Sequence, residues 1–287
     1  MKAEADNLRG SLFMVAAMAG FAVEDAFLKA ATREVAVGFV LVILGLAGVV
    51  VFSVTAVRAG AAPLPRSILT RTMALRSGFE IVGRLFYALA IALTPISTAS
   101  AILQATPLVV VAGAALVFGE RVSGRRWALI VVGFMGVLVI LRPGLEGFSA
   151  LSLLALVAMA GFAGRDLATR AAPVTLSNAQ LGVAGFVMLT LSGGIILTVT
   201  GGAGVPSSNA LALLCGASLF GIAAYAALTQ AMRTGAVSVV TPFRYSRLLF
   251  AVVLGVGVFG ERPDMATLAG SAIIVACGVV LLTRRDL

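Results

Sequence analysis

The sequence predicts an all-α integral membrane protein of ten transmembrane helices, arranged as two inverted five-helix repeats. Three observations carry this. Hydrophobic residues make up 60% of the chain and charged residues only 11%, against about 25% charged in soluble domains. Apolar runs recur along the whole chain at roughly 20 residues, the length an α-helix needs to cross about 30 Å of hydrocarbon. The chain also repeats itself at an offset of 141 residues. Ala17 to Asp25 reads AMAGFAVED, and Ala158 to Asp166 reads AMAGFAGRD. Val117-Phe118-Gly119-Glu120-Arg121 returns unchanged as Val258-Phe259-Gly260-Glu261-Arg262. Several matches at one offset indicate duplication, and so long a period marks one doubled unit rather than a solenoid.

The elements follow from the apolar runs and the breakers between them. Residues 1–146 form the first unit, with spans at 11–29, 35–57, 73–93, 98–118 and 127–141. Residues 147–287 form the second, with spans at 150–169, 179–199, 209–232, 237–259 and 266–283. Pro63 and Pro65, Pro95, Gly124, Pro143, Gly201-Gly202, Pro206 and Pro263 mark joints. Ala17-Met18-Ala19 resembles a signal-peptidase site after a basic start. Its copy at Ala158 lies mid-chain, where no signal peptide sits, so the first run is read as a helix. Five is an odd number of crossings. A second copy of an odd unit enters the membrane from the opposite side, giving the inverted-repeat design of many secondary transporters.

Lys and Arg set the orientation. Lys2, Arg9, Arg58, Arg66, Arg71, Arg121, Arg125, Arg126, Arg170, Arg233, Arg284 and Arg285 fall on one side; Lys29, Arg33, Arg142 and Arg262 fall on the other. The positive-inside rule then places both termini in the cytoplasm. The net charge of +9 is distributed as topology requires, so no nucleic-acid partner is expected. The expected partners are the lipid bilayer and a small-molecule substrate. Cys215 and Cys277 stand singly in apolar runs and read as small hydrophobes. With no His and no CxxC, neither a metal site nor His-based catalysis is expected, and no cofactor is implied. Gly45 and Gly48, Gly133 and Gly136, and Gly182 and Gly185 read as positions where helices pack closely.

The remaining charges lie within spans, at about 2.5–3.5 kcal/mol each near mid-bilayer. Glu80 and Arg84 are four apart, with Tyr87 three further on, forming one polar stripe. At the repeat offset Arg84 maps to Tyr225 and Glu80 to Gly221, so the polar lining is asymmetric within a symmetric scaffold. In TPFRYSR, Pro242 removes a backbone donor, and Thr241, Arg244 and Arg247 share a face, with Tyr245 between them. Gln104 and Pro107 occupy the corresponding region of span 4. These residues, Glu80, Arg84, Tyr87, Gln104, Tyr225, Thr241, Arg244, Tyr245 and Arg247, are the candidate substrate-binding set. Arg76 and Arg165 lie nearer helix ends and read as snorkelling side chains. Asp25 with Lys29, and Asp166 with Arg170, are i,i+4 pairs, read as surface-like pairs or as gates at the two mouths. Glu24 has no cation four residues on and is the candidate for proton coupling. Glu120 and Glu261 read as helix-end caps.

These residues resemble the drug/metabolite transporter superfamily, in its ten-helix EamA type. The resemblance rests on the duplicated unit, FGER after spans 4 and 9, GRRW at Gly124 to Trp127, VLVILRPG at Val137 to Gly144, and DAFLKA at Asp25 to Ala30. RDLATR at Arg165 to Arg170 and FRYSRLLF at Phe243 to Phe250 are similar to a bacterial subgroup. The resemblance covers essentially the whole chain. It implies a central cavity between helices 1, 3, 4, 6, 8 and 9, alternating access without an ATP site, and a bacterial inner membrane location. It implies an exporter of amino acids or related small metabolites, here read as a monomer. An importer, or an exporter of drugs or quaternary amines, is the alternative. An aromatic cage for such cations needs clustered rings, and the single Trp127 lies at an interface. A membrane enzyme and a passive channel are the other classes weighed. No reactive constellation is visible at one membrane face to support the enzyme.

Overall fold

The computed structural model describes residues 2–93, 102–141, 151–202, 206–259 and 265–283, and no strand occurs among them. The helices are α1 Lys2–Ala31, α2 Val37–Arg58, α3 Arg71–Leu93, α4 Thr106–Phe118, α5 Gly124–Leu141 and α6 Ser152–Arg170. They continue with α7 Asn178–Thr200, α8 Ser208–Met232, the single turn α9 Val237–Val240, α10 Ser246–Phe259 and α11 Met265–Thr283. A 3-10 segment, Thr241–Tyr245, joins α9 to α10.

Local chemistry sets several boundaries. Ser177 and Gln180 form a reciprocal capping box at the start of α7. Ser207 caps α8 by accepting from the Ala210 N–H at 3.0 Å. Gly119 ends α4 in the left-handed region, φ 65°. Pro242 explains why the ninth predicted span is not one continuous α-helix. Its missing donor falls where the 3-10 segment replaces the α-helical ladder.

Among the described residues, five helical stretches are long and apolar enough to cross a membrane: Glu4–Leu28, Val37–Arg58, Asn178–Thr200, Ser208–Met232 and Val237–Leu254. Helix α3 carries Arg71, Arg76, Glu80 and Arg84, and α6 carries Arg165, Asp166 and Arg170, which lowers their hydropathy.

Pairing between helices is reciprocal. α1 packs along α8, α2 along α7, α3 along α6, and α5 along α11. The first, second and third helices thus meet α8, α7 and α6 in reverse order. One contact is used twice. A Cβ on Gly161 would lie 2.6 Å from the Gly83 N, and one on Gly20 would lie 2.9 Å from the Ala224 Cβ. The repeat offset carries Gly20 to Gly161 and Gly83 to Ala224. Small residues let these backbones approach where lipid supplies no hydrophobic drive. In the α2–α7 pair, Gly48 receives the Phe186 ring and Gly182 receives the Phe52 ring. Gly133 faces Tyr245, and Gly136 faces Gly270 and Ile273. The main apolar cluster joins Met14, Met18, Val110, Leu228, Met232, Val240 and Phe243. Cys277 is buried, whereas Cys215 lies on an exposed face.

Candidate substrate-binding site

Helices α3, α6 and α8 bring together a buried polar network centred on Glu80, which is fully buried. Glu80 Oε1 accepts from Arg165 Nη1 at 3.2 Å and Arg84 Nε at 3.4 Å. Its Oε2 accepts from the Tyr225 hydroxyl at 3.1 Å. That hydroxyl in turn accepts from Arg76 Nη2 at 2.6 Å, and Arg76 Nε donates to Thr169 Oγ1 at 2.9 Å. Thr169 donates back to the Arg165 carbonyl, one helical turn away, at 2.8 Å. The Tyr225 ring fits beside Gly185, where any Cβ would meet its hydroxyl.

The duplicated line, Ala17 to Asp25 and Ala158 to Asp166, supplies a Phe and an Asp in each copy, and arginines engage both. Arg247 donates to Asp25 Oδ2 through Nε at 3.0 Å, and its guanidinium lies 5.4 Å from the Phe21 ring centre. Asp166 Oδ1 accepts from Arg165 Nε at 2.9 Å, and Asp166 Oδ2 pairs with Arg244. The guanidiniums of Arg84 and Arg165 lie 5.9 and 5.4 Å from the Phe162 ring centre. Arg244 and Arg247, three apart in sequence, therefore each take the aspartate of a different copy.

Several sequence expectations change. Arg76 and Arg165 do not snorkel; they are 1% and 5% exposed and lie inside the network. Asp166 does not pair with Arg170, because Arg165 and Arg244 occupy its oxygens at 1% exposure. Asp25 pairs with Arg247, and the side chain of Lys29 lies outside the described residues. Tyr245 packs against Val137 and Ile274, on the α5 and α11 side. The Gln104 side chain makes no hydrogen bond among the described residues, and Thr241 is buried with its hydroxyl unpartnered. Tyr87 meets Phe162 edge-on, with ring centres 5.9 Å apart. Glu24 is buried against Gly221, the repeat counterpart of the Arg165 contact with Glu80. It has no ion-pair partner among the described residues. Glu120 caps its own helix through its N–H, which donates to the Ala114 carbonyl at 3.4 Å, and also reaches across the molecule: its two carboxylate oxygens accept from the Val237 and Ser238 N–H groups at 3.1 and 3.2 Å. Glu261 lies outside the described residues.

The candidate set drawn from the sequence does not include Arg76, Arg165 and Thr169, yet all three belong to the network. The signal for Arg76 was present: it stands four residues before Glu80, as Arg84 stands four after. Arg165 was obscured because its counterpart in the other copy is Glu24, of opposite charge. No group of three or more His, Cys, Asp or Glu side chains among the described residues could hold a metal ion.

Polar contacts also close the two ends of α1. At its start, Asn7 Oδ1 accepts from the Ala236 N–H at 2.8 Å. At its far end Glu34 accepts from Asn209 Nδ2 at 2.7 Å and from the Ser207 hydroxyl. Ser207 and then Asn209 hold the Glu34 carboxyl below the usual carboxylate range. This contact favours the charged form. Its contribution is full above about pH 4.3 and fades as pH falls through the lower value in the folded protein. Glu34→Ala is expected to lower the apparent melting temperature slightly at about pH 7, with the gap narrowing at about pH 3.5. A gap that is equal at both pH values would contradict this.

The sequence pattern of the EamA-like transporter family matches residues 8–142 and again 146–284. The chain belongs to the EamA-like transporter family. It is a multi-pass membrane transporter rather than an enzyme, and a small-molecule substrate follows from that family. A riboflavin transporter of Rhizobium johnstonii is 29% identical over 76% of this chain and 70% of its own length. An S-adenosylmethionine uptake transporter of Rickettsia prowazekii is 26% identical over 72% of this chain and 70% of its own. The pseudopaline exporter CntI of Pseudomonas aeruginosa is 26% identical over 96% of this chain and 97% of its own. A solved crystal structure, 19% identical, superposes with a TM-score of 0.80 over 96% of this chain and 97% of the other, a likeness of fold.

Proposed function

We propose that this EamA-like chain is a secondary carrier that exports amino acids or related small metabolites across a bacterial inner membrane by alternating access. Its ten helices form two inverted repeats that divide between residues 146 and 147, with both termini in the cytoplasm. The observation that carries the substrate class is the buried network. Arg76, Arg84, Arg165 and Arg244 converge with Glu24, Glu80 and Asp166 in helices set in lipid, and the more exposed Arg247–Asp25 pair stands beside them. A zwitterion presents one carboxylate and one ammonium, and each needs an opposite partner once desolvated. Glu24, without an ion-pair partner among the described residues, is the carboxylate left for a cationic group or a coupled proton.

The reciprocal helix pairing supports the inverted arrangement. Reporter fusions at Leu287 and near Gly201 should report opposite sides of the membrane; the same side for both would sink the ten-span reading. Export is supported by the near end-to-end match to the pseudopaline exporter. Uptake is the second reading, favoured by the riboflavin and S-adenosylmethionine relatives.

The deciding experiment is a counterflow screen of amino acids with the purified chain in liposomes, followed by flux in vesicles of each orientation. Saturable exchange is expected, and its absence across amino acids and related metabolites would reject the reading. Arg244→Ala is expected to lower transport at least tenfold, about 1.4 kcal/mol, while folding is kept because Arg165 still holds Asp166. Normal flux in a monodisperse variant would remove Arg244 from the site.

A further inference from the structure

Within the network one cation differs from the rest. Arg84 and Arg165 reach Glu80, Arg165 and Arg244 reach Asp166, and Arg247 reaches Asp25. Arg76 is 1% exposed, yet among the described residues no carboxylate lies within ion-pair distance of it. Its partners are two neutral hydroxyls, Thr169 and Tyr225, and its Nη1 is buried with no partner at all. A buried guanidinium without a counterion, and with a free donor, is an unfavourable arrangement unless an anion completes it. Beside it lies a void of about 10 Å³ lined by Arg76, Thr169, Tyr225, Arg165 and Asp166. That volume holds about one water.

We propose that Arg76 is the anchor for the carboxylate of the transported molecule, in the void it shares with Thr169 and Tyr225. The inference rests on the carrier reading above and names the contact within it. Two hydroxyls fix the guanidinium by Nε and Nη2 and leave Nη1 for the ligand. The void is smaller than a carboxylate, so the bound state requires α3, α6 and α8 to separate, and water occupies the site between cargoes. Glu80 is reached only through the Tyr225 hydroxyl. Asp166 also lines the void, but Arg165 and Arg244 already hold its two oxygens, so cargo meets in Arg76 a positive group with no ion-pair partner of its own among the described residues.

The test compares α-amino acids with the matching α-amino amides, which carry a neutral NH2 in place of the anionic oxygen, using the full chain. Competition for uptake in liposomes and the rise in melting temperature in detergent are both read. In the unaltered protein the acid is expected to outcompete its amide at least tenfold. Arg76→Met is expected to abolish that preference. It is also expected not to lower the melting temperature of the ligand-free protein. The substitution removes a buried unpaired charge, while Tyr225 still donates to Glu80 and Thr169 to the Arg165 carbonyl. Equal competition by acid and amide with intact uptake overturns the anchor and leaves the carrier reading standing. Absent uptake and absent thermal response across the panel overturn both. An Arg76→Met chain that folds and keeps its preference for the acid overturns the anchor alone. If Arg76→Met yields no monodisperse peak, Arg76→Lys decides. A tenfold loss of acid binding supports the anchor, because an ammonium does not reproduce the planar fork; unchanged binding overturns it. A melting rise produced by chloride but not gluconate, and lost in Arg76→Met, assigns the site to a free inorganic anion and overturns the cargo assignment.

Discussion

Glu80→Ala is expected to remove most folded protein from a detergent preparation, lowering stability by about 3–5 kcal/mol. Glu80 is fully buried and is the carboxylate that Arg84, Arg165 and the Tyr225 hydroxyl all contact. Removing it leaves Arg84 with no carboxylate within ion-pair distance among the described residues, leaves Arg165 with Asp166 alone, and leaves Tyr225 with no acceptor. Truncating one member of a buried charged cluster costs more than the cluster contributes, because the partners stay buried and uncompensated. Glu80→Gln keeps the shape and one acceptor oxygen, so its loss should fall between the unaltered protein and the alanine variant. Denaturant or thermal unfolding in detergent measures the series. An alanine variant within about 0.5 kcal/mol of the unaltered protein would show that the network opens to water readily and that Glu80 is not its hub.

The fold was readable because it depends on long, regular signals. Apolar runs and breakers mark most of the described helices, although α1 begins at Lys2 rather than 11 and α4 at Thr106 rather than 98, and the repeated line at Gly20 and Gly161 marks two equivalent close approaches. Pro242 announced the interruption that appears as a 3-10 segment. The site was only partly readable, because its pairings cross the chain. Spacing along a helix reveals i,i+4 neighbours such as Glu80 and Arg84, which are in contact. It suggested Asp166 with Arg170 by the same rule, and there the rule fails. Asp166 reaches Arg244, 78 residues away, and a sequence offers no local measure of such a distance. The same holds for Arg76. Its distance from a helix end implied escape to the membrane surface, but the tertiary contacts with Thr169 and Tyr225 hold it inside. Glu120 shows the limit from another direction: its place after a helix reveals the cap it gives α4 through its N–H, but not the carboxylate's contacts with the Val237 and Ser238 N–H groups in the other half of the chain.

Asp166→Ala is expected to be nearly as damaging as loss of Glu80, and the double variant Asp166→Ala with Arg244→Ala is expected to be milder than the single one. Asp166 separates two cations from different elements, Arg165 on α6 and Arg244 in the 3-10 segment. Without it they face each other in a site where the Arg165 and Arg244 side chains are only 6% and 14% exposed. Arg165 retains Glu80, but Arg244 has no second carboxylate within ion-pair distance among the described residues. A loss of about 3–5 kcal/mol is therefore expected for Asp166→Ala. Deleting Arg244 as well removes the uncompensated charge. The three variants should then be non-additive, with a coupling of roughly 0.5–3 kcal/mol. Additivity within about 0.5 kcal/mol would mean that the two side chains do not share one interaction. Transport separates structure from function in the same set. If Arg244 only braces the 3-10 segment, flux should recover with stability in the double variant. If Arg244 meets cargo, the double variant should fold better than Asp166→Ala and still fail to carry it.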